Sequence, residues 1–180
     1  MPKDKLHKLK ENYEIINSQI RAMDLKTTFK QRKIDSNWKK YFYKIDNLLI
    51  KYKNSPKYLK QPKIATIVES SLKYHDSADY DLLCYCIMPN HVHLIFTLLD
   101  DARSLDKIMF SVKRYTAGEA NKILNRSGQF WQHESYDHIV RNEKALYNII
   151  NYVINNPVDA GLVIKWQDWK WTYLKNLDIM

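Results

Sequence analysis

Apolar side chains recur at Leu6, Leu9, Tyr13, Ile16, Ile20 and Met23 in steps of three and four, the seam of an amphipathic helix whose other faces are lysine-rich. The stretch Lys26 to Ser36 carries no such stripe and reads as a loop. Helical spacing resumes with Trp38, Tyr41, Phe42, Ile45, Leu48 and Leu49, and two prolines between positions 54 and 62 break it. A third helix is predicted from Pro62 to Tyr74, with the proline in its first turn and Ile64, Ile67, Val68 and Leu72 turned inward. The pattern then changes. Tyr80–Ile87 and His91–Leu99 are dense in β-branched, aromatic and aliphatic residues and are separated by Met88-Pro89-Asn90, which predicts a β-hairpin with a proline turn. Helical spacing returns over Ser104–Ile123, with Ser104 as cap and Leu105, Ile108, Met109, Val112, either Tyr115 or Thr116, and Ile123 inward. A short strand is expected at Gln129–Gln132. A last helix is expected over Asn142–Val153, stopped by Asn156-Pro157, before Trp166, Trp169, Trp171 and Tyr173 clamp onto the body.

Charge changes this picture more than composition does. The 180 residues hold 29 Lys+Arg against 20 Asp+Glu, and the net +9 makes a polyanion the first partner to consider. The excess is local: residues 1–63 carry 17 basic and 6 acidic side chains, the remainder 12 and 14. A basic helical segment over 1–62 is thus expected to precede a core over 63–180, the whole forming one compact domain. Gly118, Gly128 and Gly161 lie too far apart for a phosphate loop or dinucleotide fingerprint, which excludes chemistry built on those motifs. Cys84 and Cys86 can form neither a disulfide framework nor a four-ligand zinc site and are read as strand core. No apolar run has the length of a signal peptide or a membrane span, so a soluble, cytoplasmic protein without a membrane partner is expected.

The candidate chemistry begins in the second hairpin strand. His91 and His93 are separated by one residue, so an extended backbone points both imidazoles the same way and Val92 and Leu94 the other. Two neutral imidazoles are half of a divalent metal site, although six histidines in 180 residues make such a spacing fairly common by chance. Tyr152 and Asn156 stand four apart on a helix and share one face. Asn156 offers an oxygen to a hard cation and Tyr152 a phenolic nucleophile, against the bland alternatives of a core aromatic and a helix-terminal residue. A zinc hydrolase using the two histidines lacks a well-placed glutamate base and a third strong zinc ligand.

Several segments together carry a resemblance. Leu82-Leu-Cys-Tyr-Cys-Ile-Met-Pro-Asn-His-Val-His-Leu-Ile-Phe96, Ser127-Gly-Gln-Phe-Trp-Gln132, Ser135-Tyr-Asp-His-Ile-Val-Arg141 and Tyr152-Val-Ile-Asn-Asn-Pro-Val-Asp-Ala-Gly-Leu-Val163 resemble, in order, the REP-associated tyrosine transposases. These are relatives of the single-tyrosine HUH transposases of insertion sequences. The resemblance implies an α+β, ferredoxin-like HUH nuclease fold, an antiparallel sheet with helices mainly on one face. It implies a DNA-cutting and rejoining enzyme acting on single-stranded or hairpin DNA through a 5′-phosphotyrosine, with Mg²⁺ or Mn²⁺ as cofactor, as monomer or homodimer. It assigns His91, His93 and Asn156 to the metal and Tyr152 to catalysis. Lys113, Arg114 and Arg141 are candidate DNA-binding residues, with a solvated helix face as the alternative. Trp131, Gln132, His133 and His138 are weaker candidates for contact with a base or substrate. Family members normally open with a strand beside the histidine strand, and this chain runs from Met1 straight into a helix, so that strand is expected to be missing. The alternative function is a truncated or domesticated relative that binds structured single strands without cutting.

Overall fold

The computed structural model describes residues 3–52, 55–133 and 135–176. The Met1-Pro2 opening and Asn54, where the sequence first breaks its second helix, lie outside them. The chain divides into two compact units, residues 1–56 and 57–180.

The first unit is a helical hairpin of α1 (Lys3–Ala22) and α2 (Thr27–Lys51). Tyr13 stacks on Tyr41 at 4.5 Å, and the Asn37 amide donates to Asn17 Oδ1 at 2.9 Å and to the Tyr13 carbonyl at 3.3 Å. The expected loop over 26–36 is instead helix from Thr27 onward. The stretch holds no glycine or proline and is rich in Lys, Gln and Arg, good helix formers. Its stripe is faint because Phe29 is half exposed and Asn37, a polar residue, makes the contact with α1.

The second unit contains a short 3₁₀ turn (Tyr58–Lys60), α3 (Pro62–Tyr74), β1 (Tyr80–Ile87), β2 (Val92–Leu98), α4 (Leu105–Ile123), α5 (Glu143–Asp159) and β3 (Thr172–Leu174). Among the described residues the sheet has three antiparallel strands in the order β2-β1-β3. The fold is α+β, as the resemblance implies. A bulge between Leu82 and Cys84 shifts the phase of β1. On one side of it Tyr80 and Leu82, and on the other Tyr85 and Ile87, join Val92, Leu94 and Phe96 in the core under α3 and α4. Cys84 and Cys86 face the other way and pack with Ile95, Leu174 and the α5 residues Ile150, Val153 and Ile154. One strand thus serves two cores, which is why it reads as almost continuously apolar.

Three sequence expectations change here. Residues 129–132 form no strand; Phe130 stacks on Tyr58 at 5.6 Å and the Trp131 indole N–H donates to Thr116 Oγ1 at 2.8 Å, so side chains fix the segment in place of a ladder. The third strand comes from the tryptophan-rich C-terminal region, where Thr172–Leu174 pairs with Cys84–Cys86. Helix α5 also runs through Pro157 to Asp159. Its actual stop is Gly161, left-handed at φ +66°, where the Gly161 and Leu162 amides reach back to the Val158 and Pro157 carbonyls, both at 2.9 Å.

Candidate functional site

The hairpin turn sets the histidines. His91 directly precedes β2, and the Met88 amide bonds the His91 carbonyl at 2.9 Å, closing the turn. The strand then alternates, sending Val92 and Leu94 into the core under α3 and α4 and His93 to the α5 face. The imidazoles meet edge to face with centroids 4.8 Å apart and their Nε2 atoms 3.1 Å apart. Asn90 Oδ1 lies 2.8 Å from His91 Nδ1. An amide oxygen only accepts, so His91 carries its proton on Nδ1 and turns the Nε2 lone pair toward His93.

Helix α5 brings the phenol. Asn142 caps it, its side chain accepting from the Ala145 amide at 2.8 Å, and the apolar face of α5 seats it on β1. Tyr152 is half buried, its ring edge-on to His93 with centroids 6.1 Å apart. Asn156 follows one turn later and is 1% exposed. The donor set suits a divalent cation. Two ligand atoms each about 2.1 Å from one ion and at right angles around it lie about 3.0 Å apart, close to the 3.1 Å between the two Nε2 atoms.

The structure does not bring all the sequence candidates together. Lys113 and Arg114 lie on α4, which packs on the opposite face of the sheet from Tyr152. The Lys113 ammonium donates to the Gln132 and His133 carbonyls at 3.1 and 3.3 Å, and burial pulls its pKa down. It therefore pins the 132–133 loop. Arg141 is exposed and donates to the Ile139 carbonyl at 3.3 Å. Trp131 is held by Thr116, and Thr116 rather than Tyr115 occupies the buried position on α4. Sequence reasoning passed over Asn90, which read as a turn residue; its position next to the histidine pair was the available signal.

A second polar cluster stands at the α3–β1 junction. The Arg103 guanidinium grips both Asp79 carboxylate oxygens at 2.9 and 2.7 Å, and His75 Nδ1 lies 2.7 Å from the same carboxylate. The Arg103 hydrogen bonds hold the Asp79 carboxyl well below the usual range against the opposing effect of its own desolvation. His75 and Asp79 are both buried.

A family model described as transposase IS200-like matches residues 46–156. A Haemophilus influenzae protein provisionally named a REP-associated tyrosine transposase is 26% identical over 102 residues, covering 52% of this chain and 58% of that protein. The REP-associated tyrosine transposase of Escherichia coli is 24% identical over 98 residues, covering 54% of this chain and 56% of its own length. The matches span little more than half the length of these curated relatives. A solved structure of a REP-associated tyrosine transposase bound to a REP hairpin superposes with a TM-score of 0.54 at 20% identity, covering 67% of this chain and 68% of that one. That likeness is one of fold.

Proposed function

Because the chain belongs to the IS200-like transposase family, we propose that it cuts and rejoins single-stranded, hairpin-forming DNA through Tyr152. The observation that carries this reading is the convergence of the two histidine Nε2 atoms at 3.1 Å beside a tyrosine ring 6.1 Å from His93. The relative's complex with a REP hairpin supports the choice of DNA. A divalent cation, Mg²⁺ or Mn²⁺, held by His91 and His93 with Asn156 as a third ligand, would supply charge stabilisation at a phosphoryl oxygen and orient the leaving group. Tyr152 does the bond-making: its phenolic oxygen, losing its proton to water, attacks phosphorus. The bond to the 3′-oxygen breaks, leaving a 3′-hydroxyl on one side and a 5′-phosphotyrosine on the other. Attack by a 3′-hydroxyl on that ester rejoins a strand and restores the phenol, so the bond energy is kept without ATP. The His93 ring limits where the Tyr152 ring can swing, and Asn90 keeps His91 in the tautomer that presents Nε2. The helices of residues 1–62 add general phosphate affinity.

The test is cleavage of a hairpin-bearing single strand with Mg²⁺ or Mn²⁺. A protein–DNA adduct that survives denaturation is expected, lost in Tyr152→Phe and absent with a chelator. Cutting by Tyr152→Phe at the parent rate would overturn the assignment. Tight, salt-dependent binding with no adduct in either metal would leave a binding module in place of the enzyme.

A further inference from the structure

Helix α4 has a second face that its core does not use. Ile108, Val112, Thr116 and Ala120 are buried, whereas Phe110 is 64% exposed and Tyr115 is 55% exposed. These two rings do not stand in isolation. With Arg103, Lys107, Ser111 and Arg114 they line an open groove of about 510 Å³ along the helix. Lys107, Phe110 and Arg114 follow at steps of three and four and so stand one above the next, with Ser111 and Tyr115 in the adjoining row. At one end Arg103 is fixed by its bidentate grip on Asp79.

Exposed rings on a helix surface are costly to leave in water, and cations set between them are the pairing that nucleic acid recognises, with bases stacking on aromatic faces and phosphates meeting Lys and Arg. The occupant is constrained further by length. From Lys107 to Tyr115 the helix rises about 12 Å, on the order of three nucleotides at the ~3.4 Å stacked spacing. Two faces of stacking aromatics favour unpaired bases, since a duplex hides its ring faces inside its stack. The groove also lies across the sheet from Tyr152, because α4 and α5 pack on opposite faces. It is therefore separate from the histidine–tyrosine centre.

We infer that the Lys107–Tyr115 face of α4 binds a short run of unpaired DNA at a distance from the cutting site, stacking bases on Phe110 and Tyr115 and placing phosphates against Lys107 and Arg114. This rests on the DNA substrate proposed above but not on cleavage. The experiment uses the full chain carrying Tyr152→Phe, so that no covalent step contributes, and a 12-nucleotide oligo(dT) with 5-bromodeoxyuridine substitutions. Ultraviolet cross-linking followed by tryptic mass spectrometry is expected to place adducts on peptides 108–113 and 115–122, which hold the two rings. Phe110→Ala and Tyr115→Ala, both at exposed positions, should abolish those adducts and each weaken oligo(dT) binding about fivefold or more, while leaving a blunt duplex bound as before. Arg114→Gln should lower the slope of log affinity against log salt by about 0.7. Adducts found only outside these peptides, unchanged oligo(dT) affinity in the alanine variants, or an equal loss for the blunt duplex would each overturn the inference. Failure of the parent to form a phosphotyrosine adduct while these cross-links persist would strike the cleavage proposal alone.

Discussion

Asn90 offers a sharp test of how the histidine pair is prepared. Its Oδ1 accepts from His91 Nδ1 at 2.8 Å, which commits the Nε2 lone pair to the cation side. Replacing it with alanine removes a hydrogen bond worth about 1 kcal/mol net and frees an imidazole whose ordering costs roughly 0.5–1 kcal/mol. Together these make about 1.5–2 kcal/mol, a 10- to 30-fold loss of metal affinity, inside the 10- to 100-fold usual for groups that orient a ligating histidine. Manganese titration followed by electron paramagnetic resonance reads this directly, without DNA and without turnover. Asn90→Asp keeps an acceptor in the same place and adds charge to the bond, so its affinity should equal or exceed that of the parent. That pair of outcomes separates orientation of His91 from a general loosening of the turn, which both substitutions would share. Parental Mn²⁺ affinity in Asn90→Ala would refute the reasoning, as would an equal loss in Asn90→Asp.

Further outcomes follow from other features. Asp79 is buried and ionised against Arg103 with its pKa held down, so its contribution to stability is in place above the unfolded carboxylate pKa of about 3.9 and fades as pH falls below it. Asp79→Asn should lower Tm at pH 7 by on the order of 5 °C or more and flatten the acid limb of the Tm profile, as read by circular dichroism. Burial pushes the Cys84 thiol up to about 12; iodoacetamide at pH 8.5 should leave Cys84 unlabelled in the native protein and label it in urea. Lys39, Lys40 and Lys44 are exposed on α2, and replacing all three by Gln should reduce the salt slope of single-strand binding by up to about 2 while cleavage of saturated substrate stays near the parental rate.

What the sequence made legible followed from strong local periodicity. Pro62 opened α3 as expected because its missing amide costs nothing at a helix start. The one-residue spacing of the histidines carried their shared side, although His91 stands just before β2, where the turn and Asn90 hold it so that the two Nε2 atoms come within 3.1 Å. The misreadings fell where tertiary contacts outweighed local signals. Pro157 looked like a stop, yet the helix continues two residues further to the Gly161 cap. Thr172–Leu174 is only three residues long and shows no alternation of its own, so its pairing with β1 was invisible in one dimension. Phe130 and Trp131 looked like a strand because aromatics favour strands, but their partners, Tyr58 and Thr116, lie far away in sequence. Nothing in the spacing alone joined Tyr152 to His93; the resemblance did so, and the ring contact supports it.

Charge carries a related lesson. Residues 64–180 hold 12 basic and 14 acidic side chains, and a count alone would assign all nucleic-acid binding to the basic helices before them. Binding depends on where charge gathers, because screening confines each ion's reach to about 8–10 Å. Two of those 12 cations, Lys107 and Arg114, border one groove with two exposed rings, and Arg103 at its end is paired with Asp79. Elsewhere acid and base cancel in local pairs, Glu69 with Lys73 at 2.8 Å and Glu119 with Lys122 at 2.6 Å, which leave Lys107 and Arg114 beside the rings. The near-neutral core thus presents a locally basic, aromatic face on one side of its sheet and a histidine–tyrosine centre on the other. A diffuse cationic segment suits binding any strand, whereas a face that couples cations to stacking rings selects unpaired bases.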